Sequence, residues 1–123
     1  MAVASFDTSA SRFVDGKTQY LSARRVADLL GVTLTELASL IGVARNTLTA
    51  KTGARRVDAA LSPVVRILAM AGEMAGDEER AAIWFKHQPI PGWAGKTAYD
   101  LVREGKPDKV LAYLEAVRSG VYA

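Results

Sequence analysis

An all-α fold is predicted by three features of the sequence. Apolar residues recur at helical spacing in short runs, helix-start signals precede most of those runs, and glycines close several of them. No stretch reads as a convincing β-strand, and neither an internal repeat nor a low-complexity tract is present.

The elements follow in order. A first helix is expected from Ser22, a good N-cap, to Leu30, with Val26, Leu29 and Leu30 on one side and Gly31 ending it. Thr33-Leu34-Thr35-Glu36 is a capping box, in which hydroxyl and carboxylate satisfy opposite backbone donors, and it opens a short helix to Ile41 that Gly42 stops. A third helix is expected from about Arg45 to Lys51, with Leu48 pointing inward. After a basic, turn-like link, Ser62-Pro63 reads as a new start, a cap followed by the residue best tolerated in a first turn. The helix it opens carries Val64, Val65, Ile67, Leu68, Met70 and Ala71, apolar on nearly every side, so it is either a central core helix or one that also meets a second subunit.

Asp77-Glu78-Glu79 complements a helix dipole and starts the next element, to which Ile83, Trp84 and Phe85 add a heavy apolar load. Two prolines and two glycines keep the stretch from His87 to Gly95 from being helical, and it reads as a hinge or lobe boundary. Thr97 caps a short helix through Glu104, Gly105 ends it, and Pro107 begins the last one, with Val110, Leu111, Leu114 and Val117 at helical spacing.

The 123 residues suffice for one real hydrophobic core. No run approaches the ~20 apolar residues that span a bilayer, the first residues lack the pattern of a signal peptide, and a cytoplasmic protein with no membrane contact is expected. The absence of cysteine removes disulfides, thiolate zinc sites and cysteine nucleophiles. The net charge of +3 is unevenly placed. Residues 1–60 hold eight Lys/Arg against five Asp/Glu, and residues 61–123 hold eight of each. Between Glu36 and Asp58 lie Arg45, Lys51, Arg55 and Arg56 with no acid among them, a patch that attracts phosphates or forms a merely solvated face.

The segment from Glu36 to Leu48 has helix-turn-helix spacing: small Ala38 on the first helix, Gly42 at the turn, and Leu37, Ile41, Val43 and Leu48 where two crossed helices meet. The second helix then shows Arg45, Asn46, Thr47, Thr49 and Lys51 to a DNA groove, a cation for guanine, an amide for adenine and hydroxyls for phosphates or base edges, while Arg55 and Arg56 hold the adjacent backbone. Ala44 stands where a capping Ser or Thr is common, a loss of about 1 kcal/mol. A purely structural helical corner would have similar spacing. One recognition helix makes few phosphate contacts, so useful affinity calls for a dimer.

Three signals are refused. Gly95-Lys96-Thr97 resembles the end of a phosphate-binding loop, but Ile90 occupies the position of the required earlier glycine. His87 is the only histidine, so it can build neither a triad with a second base nor a multi-histidine metal site. Glu78 and Glu79 are adjacent and diverge from a helix, unlike a catalytic carboxylate pair. No enzymatic activity and no cofactor are expected.

Trp84, then Gly95-Lys96-Thr97 opening a short helix with Leu101, then Glu104-Gly105, and then Val110, Leu114 and Gly120 occur in an order and spacing that resembles the C-terminal domain of the Xre-like (MbcA/ParS/Xre) antitoxins. With the helix-turn-helix, the resemblance covers about residues 20–123. Ala98 departs from it where proline is common, and Lys51 where an apolar residue or arginine is usual. The resemblance implies a partner toxin of the RES-domain class that degrades NAD or transfers ADP-ribose, blocked at its active-site entrance by this chain. It implies an antitoxin that binds operator DNA as a homodimer within the toxin complex, with a stand-alone transcriptional regulator as the alternative. The expected organisation is a flexible arm at 1–18, a helix-turn-helix and core or dimer region at 19–76, and a small helical toxin-binding domain at 77–123. Candidate toxin contacts are Trp93 and Tyr99, either of which could instead be core, and the closing run Arg118, Ser119, Gly120, Val121, Tyr122 and Ala123, an apolar and an aromatic side chain behind a glycine and ahead of a carboxylate, which either enter the partner's cleft or fold back onto the helix or fray.

Overall fold

A computed structural model describes Phe13, Val14 and residues 20–120. Seven α-helices follow one another among these residues: α1 (Ala23–Leu30), α2 (Leu34–Ile41), α3 (Arg45–Thr49), α4 (Ala54–Ala75), α5 (Glu78–His87), α6 (Ala98–Arg103) and α7 (Pro107–Arg118), with a 3-10 turn at Lys51–Gly53. The only β pairings among the described residues are isolated bridges, Val14 with Leu21 and Pro89 with Thr97. No single helix in the described chain is long and apolar enough to cross a membrane.

The expected helix ends are built as the local chemistry dictates. The Ser22 hydroxyl accepts from Arg25 N–H at 3.3 Å, and Gly31 closes α1 in the left-handed region at φ 68°. Thr33 and Glu36 complete a reciprocal capping box, and Gly42 at φ 74° closes α2. A second box joins Thr97 to Asp100 at the start of α6, and the Asp77 carboxylate accepts from Arg80 N–H at 2.7 Å to start α5.

The expected start at Ser62-Pro63 is overturned, because both residues lie inside α4, which begins at Ala54. Pro63 leaves the Ala59 carbonyl without its helical donor, but Ala59 is exposed, so water can take that bond. The supposed basic link contains neither glycine nor proline after Gly53, and Val57 and Leu61 carry the same buried stripe that continues through Val64, Val65 and Leu68. Burial of each such side chain contributes about 1.5–3 kcal/mol, enough over the helix to outweigh a proline cost of about 3 kcal/mol.

Helix α4 packs most extensively on α5 and α7 and also meets α1 and α3, while α2 packs against α6. One hydrophobic cluster therefore joins Val26, Leu37 and Leu40 from the first half to Phe85, Leu101, Val110 and Leu114 from the second. The expected arm at 1–18 is mostly outside the described residues, yet Phe13 is buried in this cluster and its carbonyl accepts from Ser22 N–H at 2.6 Å. The Pro/Gly stretch after His87 is not helical, as expected, but it is tied down where a hinge was expected. Ile90 is buried, its N–H donates to the Lys96 carbonyl at 2.8 Å, and Lys96 N–H donates to the Trp93 carbonyl at 3.0 Å. Ile83 departs from its expected role as well: Phe85 is buried and Trp84 half-buried, but Ile83 is 62% exposed.

Leu61→Ala tests the helical reading of residues 54–62. It should cost about 2–5 kcal/mol in denaturant unfolding, whereas a residue in a surface link would show a change within about 0.5 kcal/mol.

Candidate nucleic-acid interface and partner-binding face

The helix-turn-helix is assembled from α2, the Gly42 turn and α3. Leu37, Ala38 and Leu40 bury the inner face of α2, and Leu48 of α3 packs half-buried against the same core. The Val43 N–H donates to the Ala38 carbonyl at 3.1 Å, which fixes the turn. Two hydrogen bonds from Thr33, backbone and hydroxyl, hold the Glu36 carboxyl below its usual range, with Lys86 adding a smaller lowering field.

Helix α3 is only five residues long, contains no fully buried residue and starts at Ala44 without a side-chain cap. Arg45, Asn46 and Thr49 are exposed on it, and the Thr49 hydroxyl donates to the Asn46 carbonyl at 3.4 Å. Lys51 is exposed on the following 3-10 turn, and Arg55 and Arg56 are exposed in the first turn of α4. The structure thus groups six of the seven expected DNA contacts on successive, solvent-facing turns. Among the described residues, no carboxylate forms an ion pair with Arg45, Lys51, Arg55 or Arg56. Thr47 is different, because it is half-buried and faces Gly53.

Gly53 has a packing role that the sequence reading passed over. A Cβ on it would stand 2.6 Å from the Thr47 carbonyl oxygen and 2.8 Å from the Thr47 methyl. Its φ of −91° is open to any residue, so the requirement is close approach, which holds the end of α3 against the start of α4. No local pattern marks it, because a glycine in a short turn between two helices is ordinary.

On the other half, Trp93 is half-buried in the loop with Lys106 Nζ 5.7 Å from its ring centre. Tyr99 on α6 packs edge-on against Phe85 at 6.0 Å, with the Arg103 guanidinium 5.9 Å from its ring. Burial raises the Tyr99 phenol above its ordinary value, and the Glu36 charge adds to the rise. Lys96, the tempting phosphate ligand, bonds Glu104 at 2.8 Å, and that bond lowers the Glu104 carboxyl. Arg118 ends α7 on Glu115 at 2.6 Å, which raises the guanidinium further, and the Ser119 hydroxyl donates to the Ala116 carbonyl at 3.0 Å. Gly120 follows at φ 87°, and Val121, Tyr122 and Ala123 lie outside the described residues. Among the described residues, no hydrogen bond or ring contact joins Trp93 and Tyr99 to Arg118, Ser119 or Gly120.

Two substitutions probe the recognition helix from opposite sides. Ala44→Ser supplies the missing cap at a residue already extended (φ −67°, ψ 144°) and should raise unfolding free energy by about 1 kcal/mol. Gly53→Ala forces a Cβ into Thr47 and should lower stability by about 1–3 kcal/mol, with a loss of DNA affinity in a mobility-shift titration.

Comparison with known families gives two matches, one in each half of the chain. The antitoxin Xre-like helix-turn-helix domain matches residues 10–65, and the antitoxin Xre/MbcA/ParS C-terminal toxin-binding domain matches residues 70–120. No curated protein and no solved structure gives a match. The two family matches run consecutively over nearly the whole chain and meet inside α4, and on them the chain belongs to the Xre-like (MbcA/ParS/Xre) antitoxins, as the antitoxin of a toxin–antitoxin pair.

Proposed function

We propose that this antitoxin neutralises a RES-domain toxin, an enzyme that degrades NAD or transfers ADP-ribose, by covering its active-site entrance, and that it represses its own operon in the cytoplasm through the helix-turn-helix. The observation that supports this reading best is the union, over one hydrophobic core, of an exposed cationic face that forms no ion pair among the described residues and a span matching a toxin-binding domain. The antitoxin acts by binding and performs no chemistry of its own.

On the DNA side, Arg45 and Asn46 read base edges, Thr49 reaches a base edge or phosphate, and Lys51, Arg55 and Arg56 take the flanking phosphates. Thr47 supports the helix through Gly53. Two copies of the chain bind the operator together, since a pair of recognition helices reads two half-sites. Residues 19–76 serve DNA and the dimer, and residues 77–123 serve the toxin. Trp93, Tyr99 and the segment from Arg118 through Gly120 into Val121, Tyr122 and Ala123 meet the toxin, with the segment's apolar and aromatic side chains entering the nucleotide cleft.

Two experiments test the reading. Expression of the adjacent reading frame alone should arrest growth and co-expression with this chain should restore it; normal growth without the chain would sink the toxin assignment. For the DNA face, Arg45→Ala combined with Asn46→Ala should cost about 1–3 kcal/mol per lost base contact and relax operator specificity. Arg55→Ala should weaken binding evenly across sequences and reduce the salt slope by about one.

A further inference from the structure

Of the helices in the described chain, four begin as the helix dipole favours, with a carboxylate in the first turn: Glu36 in α2, Glu78 and Glu79 in α5, Asp100 in α6 and Asp108 in α7. The other three have no acid there and carry arginines instead: Arg24 and Arg25 in α1, Arg45 in α3, Arg55 and Arg56 in α4. A cation at a helix start works against the dipole, so each stands there at some cost to its own helix. In α3 and α4 the proposed DNA face accounts for it. Helix α1 lies outside that face and needs its own reason.

The surroundings of its two arginines differ. Arg24 is exposed and lines a cleft of about 700 Å³ together with Thr49 and Lys51, from the end of α3 and the turn after it. Half-buried Leu34 and Leu48 give the cleft an apolar lining. Among the described residues no carboxylate lines it, and neither Arg24 nor Lys51 forms an ion pair. The Asp58 carboxylate is half-buried and accepts from the Leu21 N–H at 2.8 Å, which ties the start of α1 to α4. Arg25 lines a separate cavity that also holds Asp28 and Glu79.

Two cations from separate elements thus reach one cleft that contains no balancing charge. A nucleic-acid backbone has the matching chemistry, with phosphate oxygens for the guanidinium and the ammonium and a sugar carbon face for the leucines. The cleft is also continuous with the recognition surface, since Thr49 and Lys51 belong to both. We infer that Arg24 is a phosphate contact of this antitoxin: the operator strand passing the end of α3 runs along the cleft, held by Lys51 from one element and by Arg24 from the other. The inference rests on the DNA-binding reading and extends that interface to α1.

The test is a mobility-shift titration of the full chain with the duplex upstream of its own reading frame, at about 50 to 200 mM salt. Arg24→Ala should weaken binding about tenfold or more at the low end. It should also reduce the slope of log affinity against log salt by about 0.9 for each chain bound, so that the deficit shrinks about threefold per chain across the range. Arg25→Ala removes the same charge one residue away and should change affinity by less than about twofold. Because Arg24→Ala relieves a first-turn cation, its thermal unfolding midpoint should hold or rise; a fall would assign Arg24 to the fold and overturn the contact. In a set of duplexes that each carry one neutral methylphosphonate, one position should weaken the parent and leave Arg24→Ala unaffected. If no position does so, if the salt slope is unchanged, or if Arg25→Ala weakens binding as much as Arg24→Ala, the Arg24 assignment falls and the recognition-helix reading stands. If the parent retards none of the duplex, both fall.

Discussion

The structure depends on the burial of α4. Val57 and Leu61 from its first half and Val64, Val65, Ile67 and Leu68 from its middle are all removed from water, and every one belongs to the single core cluster. The surrounding helices are short, five residues in α3, six in α6 and eight in α1 and α2. Isolated helices below about 12–15 residues are marginal in water, so their stability comes from docking on α4 and on one another. A helix of 22 residues is about 33 Å long, and it fixes the distance between the basic first turn and the apolar last turn. The two family matches meet within it, which makes the DNA-binding and toxin-binding regions two ends of one packing unit instead of beads on a linker.

Within that unit the recognition helix is the part least able to hold itself. It has no cap, no fully buried side chain and barely more than one turn. Two contacts supply its geometry: its own half-buried Leu48 packed against the core, and the bare backbone of Gly53 pressed on Thr47. The arrangement leaves Arg45, Asn46 and Thr49 facing solvent.

Much of the fold was legible because helix ends are local chemistry. Ser22, the Thr33–Glu36 box, Gly31, Gly42, Asp77, Thr97 and Pro107 all mark the ends they were expected to mark. Pro63 misled because its local meaning, a first-turn residue, was outweighed by a tertiary stripe that starts six residues earlier at Val57. Ile83 misled because a helix of ten residues with Ala81, Ala82 and Phe85 facing the core has a side left over, and composition cannot say which large residue will occupy it. Gly53 was invisible since close approach is a property of two segments. On the proposed DNA face the charge pattern marked cations that the fold leaves exposed, but only the fold separates the half-buried Thr47 from its exposed neighbours.

Among the described residues the core contains no buried polar or charged side chain and leaves no buried side-chain polar atom unsatisfied. Buried polar contacts therefore do not select this packing over its competitors. That task passes to the caps, which fix where each helix begins, and to the shapes of Val, Leu and Phe side chains in close contact. In a core satisfied by apolar contact alone, an apolar side chain left in water is the exception to explain. Among the described residues, Met74 adjoins a slot at the end of the longest helix. Removing that surface from water is worth about 25 cal/mol for each Å² covered, a gain available to whatever supplies the missing wall. The interaction that builds the core thus also gives its open end a reason to bind.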